Sequence, residues 1–384
     1  MEFSSLYLAE ALDRSIWDPV FICPGPGELP QRAAKAGITV EIVPALHHRS
    51  AGISLGGKVL PDPLGLGHNV VEFLRSRTLV QEVLHRLRPA LVVTKGLPAH
   101  LYGGSAARAL GIPCVWHLQD RVSERLGPLY PSILGMAARR WATRVIADGS
   151  SIVRQLAPRY PADRIDLVWN GADTTLFSPS ADGSRVRSEW GASADTIVVG
   201  CIARLTPWKG QHVLLEAFAA VAAEFPCVSL VLVGSPAFDG DAYRTRLQSE
   251  SVRLGIAGRV HFAGYRQDLP EVLAALDVVV HTALEKDSAP LAVISALASG
   301  KPVLCSAVDG TAELFDGGDG ILVPPGDADA LAGALRSVLR DRDLRMRMAL
   351  AARTTAVRRL GIDRHRSLCC ASFLHALESN AHES

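Results

Sequence analysis

The sequence predicts an α/β protein made of two doubly wound domains, each with a parallel sheet. Short apolar runs rich in Val and Ile alternate with longer helical patterns along the whole chain, as expected for parallel strands covered by helices on both faces. About a dozen such runs are present, too many for one ordinary doubly wound sheet. The stretch FSPSADG at Phe177–Gly183 breaks the alternation near mid-chain. A cluster of Pro, Ser, Gly and Asp is a loop or linker signal.

The first series of strand candidates is Pro19–Cys23, Ile38–Val43, Ala90–Thr94, Cys114–His117, Arg144–Ala147 and Ile165–Trp169. The second is Thr196–Ile202, Val228–Val233, Val260–Phe262, Leu276–His281, Pro302–Ser306 and Ile321–Val323. Helical stretches such as His68–Leu87 and Gln211–Glu224 separate them, and a last one, Asp363–Glu378, follows the second series. The predicted domains are residues 1–178 and 179–361. No repeat and no low-complexity segment interrupts them.

Hydrophobic residues make up 48% of the 384 residues and charged residues 21%, an ordinary globular balance. Forty basic residues face thirty-nine acidic ones, so bulk charge gives no reason to expect nucleic acid. Residues 1–173 carry 19 basic and 15 acidic side chains. This mild excess suits an anionic acceptor or a membrane surface but is too small to decide between functions. None of the seven cysteines forms a C-x-x-C pair and most lie in strand-like runs, which reads as reduced, buried thiols in a cytosolic protein. No apolar stretch reaches the ~18 residues of a spanning helix, and the first residues have no signal-peptide pattern. The expected location is the cytoplasm, with peripheral contact at the inner membrane face as a further expectation.

Ligands of open α/β sheets collect beyond the carboxyl ends of strands. After Thr196–Ile202 comes Arg204-Leu-Thr-Pro-Trp-Lys209-Gly210, on a turn that then opens a helix. An Arg fork, a Lys point charge and a helix N-terminus together suit a diphosphate. The spacing alone also suits two solvated surface cations. After Leu276–His281 come Glu285 and Asp287, then an apolar helix that Asp287 or Ser288 could cap. His117 ends the Cys114–His117 strand, followed by Leu118-Gln119-Asp120-Arg121, which makes it a site candidate. Two patterns are set aside. Asp239-Gly240-Asp241 has D-x-D spacing but lies in a polar loop. Gly25 and Gly27 lack the G-x-G-x-x-G spacing of a dinucleotide turn.

Taken together, these motifs resemble glycosyltransferase family 4, retaining enzymes of the GT-B fold. Trp169-Asn170-Gly171-Ala172-Asp173 with Phe177 is similar to the family's N-G-V-D…F stretch, and GCIARLTPWKG at Gly200–Gly210 to its phosphate-binding segment. Gly264-Tyr-Arg266-Gln-Asp268 resembles the loop that lines the base pocket. Asp309-Gly310-Thr-Ala-Glu313 and Gly320–Asp327 match its closing motifs, and Val115-Trp116-His117 resembles the strand end that carries an active-site histidine. The resemblance implies two Rossmann-like domains facing across a cleft, with residues 362–384 returning to the first. It implies transfer of a sugar from a UDP- or GDP-linked donor to a glycan, lipid-linked or small-molecule acceptor, with no metal and no other cofactor. Arg204 and Lys209 would hold the diphosphate, His117 and Asp287 would face the sugar, and Gly264, Arg266, Glu285 and Ser295 would complete the donor site.

This chain departs from the family in having Asp287 for the first glutamate of the E-x7-E motif, Ser288 for the glycine that often follows, and Ser295 for the second glutamate. The departures support a second reading, a weak or inactive nucleotide-binding scaffold. The chain also opens on a helical pattern (Phe3, Leu6, Tyr7) where such a domain opens on a central strand. The natural polypeptide is therefore expected to begin upstream, with a short strand and a Gly-Gly turn.

Overall fold

The computed structural model describes residues 2–44, 52–55, 58–61, 63–119, 130–236, 240–285 and 287–383. In chain order its strands are β1 (Val20–Cys23), β2 (Thr39–Ile42), β3 (Gly52–Leu55), β4 (Lys58–Pro61), β5 (Val92–Lys95), β6 (Cys114–Leu118), β7 (Arg144–Ala147) and β8 (Ile165–Leu167). There follow β9 (Ile197–Ile202), β10 (Val228–Val233), β11 (Val260–Gly264), β12 (Val278–His281), β13 (Val303–Ser306) and β14 (Gly320–Val323). Every sequence candidate holds a strand. The antiparallel pair β3–β4 was not among them, although Gly56-Gly57 between the two runs is itself a two-residue hairpin signal.

The chain divides into two compact units. One comprises Met1–Ala147, Ile152–Val168 and Arg366–Ser384, and the other Asp148–Ser151 and Trp169–His365. The division falls after Val168, ahead of the FSPSADG stretch, because the N-G-A-D run is already knitted into the second unit. Ala172 N–H donates to Leu360 O at 2.9 Å, and Ile362 N–H to Ala172 O at 2.8 Å. Gly171 sits so close to residue 365 that a Cβ on it would lie 2.7 Å from His365 Cβ.

In the first unit β5-β6-β7-β8 form a parallel sheet, and β1 and β2 a separate parallel pair. One core gathers Val80, Leu84, Trp116, Leu134, Val145 and Ile152. Another joins Leu8, Val115, Ile146 and Val168 to Cys369, Phe373 and Ala376 of the Ile362–Glu383 helix. That burial fixes the final helix: each fully buried large apolar side chain is worth about 1.5–3 kcal/mol.

The second unit holds one six-stranded sheet in the order β11-β10-β9-β12-β13-β14, parallel throughout. All four residues of β12 and of β13 are buried, which is why these strands read as unbroken apolar runs. Leu214, Leu215 and Phe218 of the Gln211–Ala222 helix and Leu331, Leu335 and Val338 of the Ala328–Arg340 helix build one core. Val293, Ile294 and Leu297 of the Leu291–Ala298 helix pack in the other with Val198 and Val279. From β9 the chain builds outward to β10 and β11 on one side, then returns to add β12 on the other. The β9/β12 boundary is therefore the topological switch point, where the loops leave a crevice. No described helix is long and apolar enough to cross a membrane.

Candidate phosphate-binding site and its neighbours

The segment after β9 is held as a tight turn. Leu205 N–H donates to Ser235 O at 3.0 Å. Pro207–Lys209 form one 3-10 turn, which Gly210 ends at φ +68°. A Cβ on Gly210 would lie 2.0 Å from Thr282 O, so only glycine satisfies both the left-handed conformation and the close approach. That approach lets the loop after β12 lock onto the turn. Thr282 Oγ1 donates to Lys209 O at 2.9 Å and Leu284 N–H to Trp208 O at 2.8 Å. Gly234, after β10, backs the same segment, since a Cβ there would lie 2.0 Å from Ala203 O.

Both cations of the turn approach the Trp208 ring. The Arg204 guanidinium carbon is 6.0 Å from its ring centroid and Lys209 Nζ 4.3 Å, within the range of attraction to an aromatic face. Gln211 Nε2 donates to Arg204 O at 2.8 Å, fixing the backbone at that residue. Arg204 is exposed and Lys209 half-buried. The turn, the start of the Gln211–Ala222 helix and the two cations thus meet at the switch point, an arrangement suited to phosphate oxygens.

Asp287 faces inward at the same place. Its Oδ2 accepts from Lys209 Nζ in a short contact and from His281 Nε2 at 2.8 Å. Asp287 and His281 are both buried. Burial by itself would raise the Asp287 carboxyl, but the charges and hydrogen bonds of Lys209 and His281 outweigh it and hold the group at about 2. The next residue, Ser288, is buried between two glycines: a Cβ on Gly149 would come within 2.9 Å of Ser288 Cβ, and one on Gly310 within 3.1 Å of Ser288 O. Asn170 Nδ2 donates to Asp148 Oδ2 at 2.9 Å and to Ala289 O at 3.0 Å, bracing this loop.

Glu285 is half-buried in the loop between β12 and the Leu291–Ala298 helix, and Ser295 is buried within that helix. Gly264 ends β11 at φ +67° with no atom within 4 Å of an added Cβ, and its carbonyl accepts from Gly234 N–H at 2.7 Å. Arg266 is engaged by its own neighbours. It binds Asp268 through two bonds of 2.8 and 2.6 Å and Glu189 at 2.6 Å. Arg266 bonding, above all, drives the Asp268 carboxyl well below its ordinary range.

His117, in the first unit, is wholly buried within β6. Its register partners are Lys95 on β5 and Ile146 on β7. A second buried imidazole, His100, accompanies it: His100 stacks on Trp116 at 4.9 Å and shares a 2.7 Å hydrogen bond with Thr94 Oγ1. Burial first, then the neighbouring His117, pulls His100 down to about 3, so it is neutral.

Lys209 and Asp287 therefore meet, Arg204 shares the Trp208 ring with Lys209, Ser295 lies on the helix that follows, Gly264 ends β11 and Arg266 follows it. The sequence motif includes Gly210 as the end of the turn, but gives no role to His281, Trp208 or Gly234. His281 carries the signal used for His117, a histidine ending an apolar strand. Nothing local marks His100. Asp239 of the D-x-D triplet, and Asp120 and Arg121, lie outside the described residues. Among the described residues no three His, Cys, Asp or Glu side chains cluster to hold a metal.

Two compact units, each with a parallel sheet and helices packed on it, define an α/β protein of the doubly wound class. Residues 1–176 match the profile of Glycosyltransferase Family 4, and residues 184–355 that of Glycosyl transferases group 1. The chain belongs to glycosyltransferase family 4, with the two Rossmann-like units of the GT-B fold. It is 34% identical over 218 residues to the D-inositol 3-phosphate glycosyltransferase of Nocardia farcinica, covering 55% of this chain and 48% of that protein. It is 33% identical over 203 residues to the lipopolysaccharide core biosynthesis glycosyltransferase LpsE of Rhizobium meliloti, covering 51% and 56%. The chain thus spans about half the length of the curated relatives it matches. Among solved structures it is similar to Anabaena HepE in complex with UDP-glucose, at 26% identity and a TM-score of 0.80, covering 97% of this chain and 95% of that one.

Proposed function

We propose that this protein is a retaining glycosyltransferase that takes a sugar from a UDP- or GDP-linked donor. The observation that carries the reading is the pair Arg204 and Lys209, held at the β9/β12 switch point by a turn that only Gly210 can close. The Anabaena relative bound to UDP-glucose supports a nucleotide-sugar donor. Relatives named for inositol 3-phosphate and for lipopolysaccharide core biosynthesis support a polar, often anionic acceptor. The two cations stabilise charge as it develops on the departing diphosphate, which is the main form of catalysis such a site offers. The leaving phosphate takes the acceptor proton, and transfer proceeds on the same face of the sugar. Asp287 in the second unit and, separately, His117 in the first are assigned catalytic roles, with no metal required.

The test is a thermal-shift panel of nucleotides and nucleotide sugars, followed by donor hydrolysis, because a ligand that binds only the native state raises its stability. Hydrolysis by the parent that is lost in both Asp287→Asn and His117→Ala is the expected result. Replacement of the second motif glutamate by Ser295, and the capture of Asp287 by Lys209 and His281, favour the alternative of a nucleotide-binding scaffold. Tight nucleotide binding with no turnover of any donor would establish that alternative.

A further inference from the structure

We infer that His281 is a positioning residue for the donor site, acting through Asp287 to release Lys209 to the diphosphate. This rests on the reading of Lys209 as a diphosphate ligand. One carboxylate oxygen, Asp287 Oδ2, accepts from both Lys209 Nζ and His281 Nε2. Asp287, His281 and the Lys209 ammonium lie within one small region, and the Asp287 side chain has little access to water. A diphosphate that engages Lys209 therefore competes with a carboxylate already there. Withdrawing the cation from a buried carboxylate that has no other donor is strongly unfavourable. His281 is that other donor. It reaches Asp287 from the end of β12, and its backbone is fixed by pairing with Cys305 of β13, so its N–H stays in place when Lys209 turns to phosphate. Asp287 is thus both a brake on donor binding and a carboxylate held in one orientation by His281.

The arrangement predicts opposite signs for two neighbouring substitutions. His281→Phe keeps an aromatic ring but removes the N–H, so Lys209 becomes the sole donor to Asp287 and nucleotide diphosphate binding weakens by about tenfold. Asp287→Asn removes the competing charge, so binding tightens by about threefold. In the Asp287→Asn background, His281→Phe changes affinity by less than about twofold, because the two residues act as one unit. His281→Gln restores an N–H donor and recovers most of the lost affinity.

The experiment is calorimetric titration of the full chain with UDP, and GDP in parallel, for the parent, Lys209→Ala, the single variants and the double variant. Melting curves confirm that each variant is folded, and His281→Gln serves if the Phe variant is not. The four-way pattern above supports the role of His281. Equal weakening by His281→Phe in both backgrounds, or weaker binding in Asp287→Asn, would overturn it while leaving the donor reading intact provided Lys209→Ala still weakens binding. Unchanged binding in Lys209→Ala, or no binding of either nucleotide by the parent, would overturn the donor reading and this role together.

Discussion

Gly210 is where a single methyl group should do most damage. Its φ of +68° lies in the left-handed region, which costs a residue with a Cβ about 1–2 kcal/mol. The added Cβ would also sit 2.0 Å from Thr282 O, against an ordinary contact of 3.4 Å or more. The loop after β12 would have to withdraw by more than an ångström. That movement breaks the Thr282 Oγ1 to Lys209 O and Leu284 N–H to Trp208 O bonds, each worth about 0.5–1.5 kcal/mol net. Gly210→Ala should therefore destabilise the protein by about 2–5 kcal/mol. It should also weaken nucleotide diphosphate binding by more than about tenfold, because Lys209 moves with the turn. Gly264→Ala is the control. Its φ is +67°, but nothing lies within 4 Å of the added atom, so only the ~1–2 kcal/mol conformational cost remains. Urea unfolding of both variants, with calorimetry of nucleotide binding, measures the difference. Equal destabilisation by the two substitutions would refute the close-approach reasoning.

Other outcomes follow from the same geometry. Arg204→Ala should weaken nucleotide diphosphate binding by about 1.5–3 kcal/mol with little change in melting temperature, because Arg204 is exposed. Lys209→Ala should weaken it similarly but also lower the melting temperature, because it strips a donor from buried Asp287; equal melting of the two variants would contradict this. The Asp287 carboxyl is held at about 2 in the folded protein against a usual value of 3.8. Its stabilising contribution, on the order of 2 kcal/mol, is present above pH 4 and disappears as the pH falls through about 2. Asp287→Asn should flatten that part of the stability curve, and an unaltered acid limb would remove Asp287 from the account. Ser295→Glu should tighten nucleotide binding by up to about tenfold if that helix position faces ribose; unchanged or weaker binding would show that the pocket serves another purpose.

The strands were legible because burial on both faces demands unbroken apolar runs. Val278–Val280 and Val303–Leu304 report their own surroundings residue by residue. The cationic turn was legible for a related reason: Arg204, Lys209 and Gly210 lie within one short stretch after β9, so their chemistry is local. The partner of Lys209 was not legible. Asp287 lies 78 residues away and reaches it only because β12 adds beside β9, rather than beyond β10 or β11. No local pattern encodes that order; it follows from how crossovers pack helices onto the sheet. The same holds for Gly210, whose need for glycine comes from the carbonyl of Thr282 as well as from its own turn. It holds for Arg266 too, whose charge is drawn to Glu189, 77 residues earlier in the chain. Sequence alone determined the parallel strands and the short cationic turn after β9, since burial and turn geometry act on neighbouring residues. Tertiary structure alone decided which charges meet, because a buried carboxylate takes its partner from whichever strand the sheet order sets beside it.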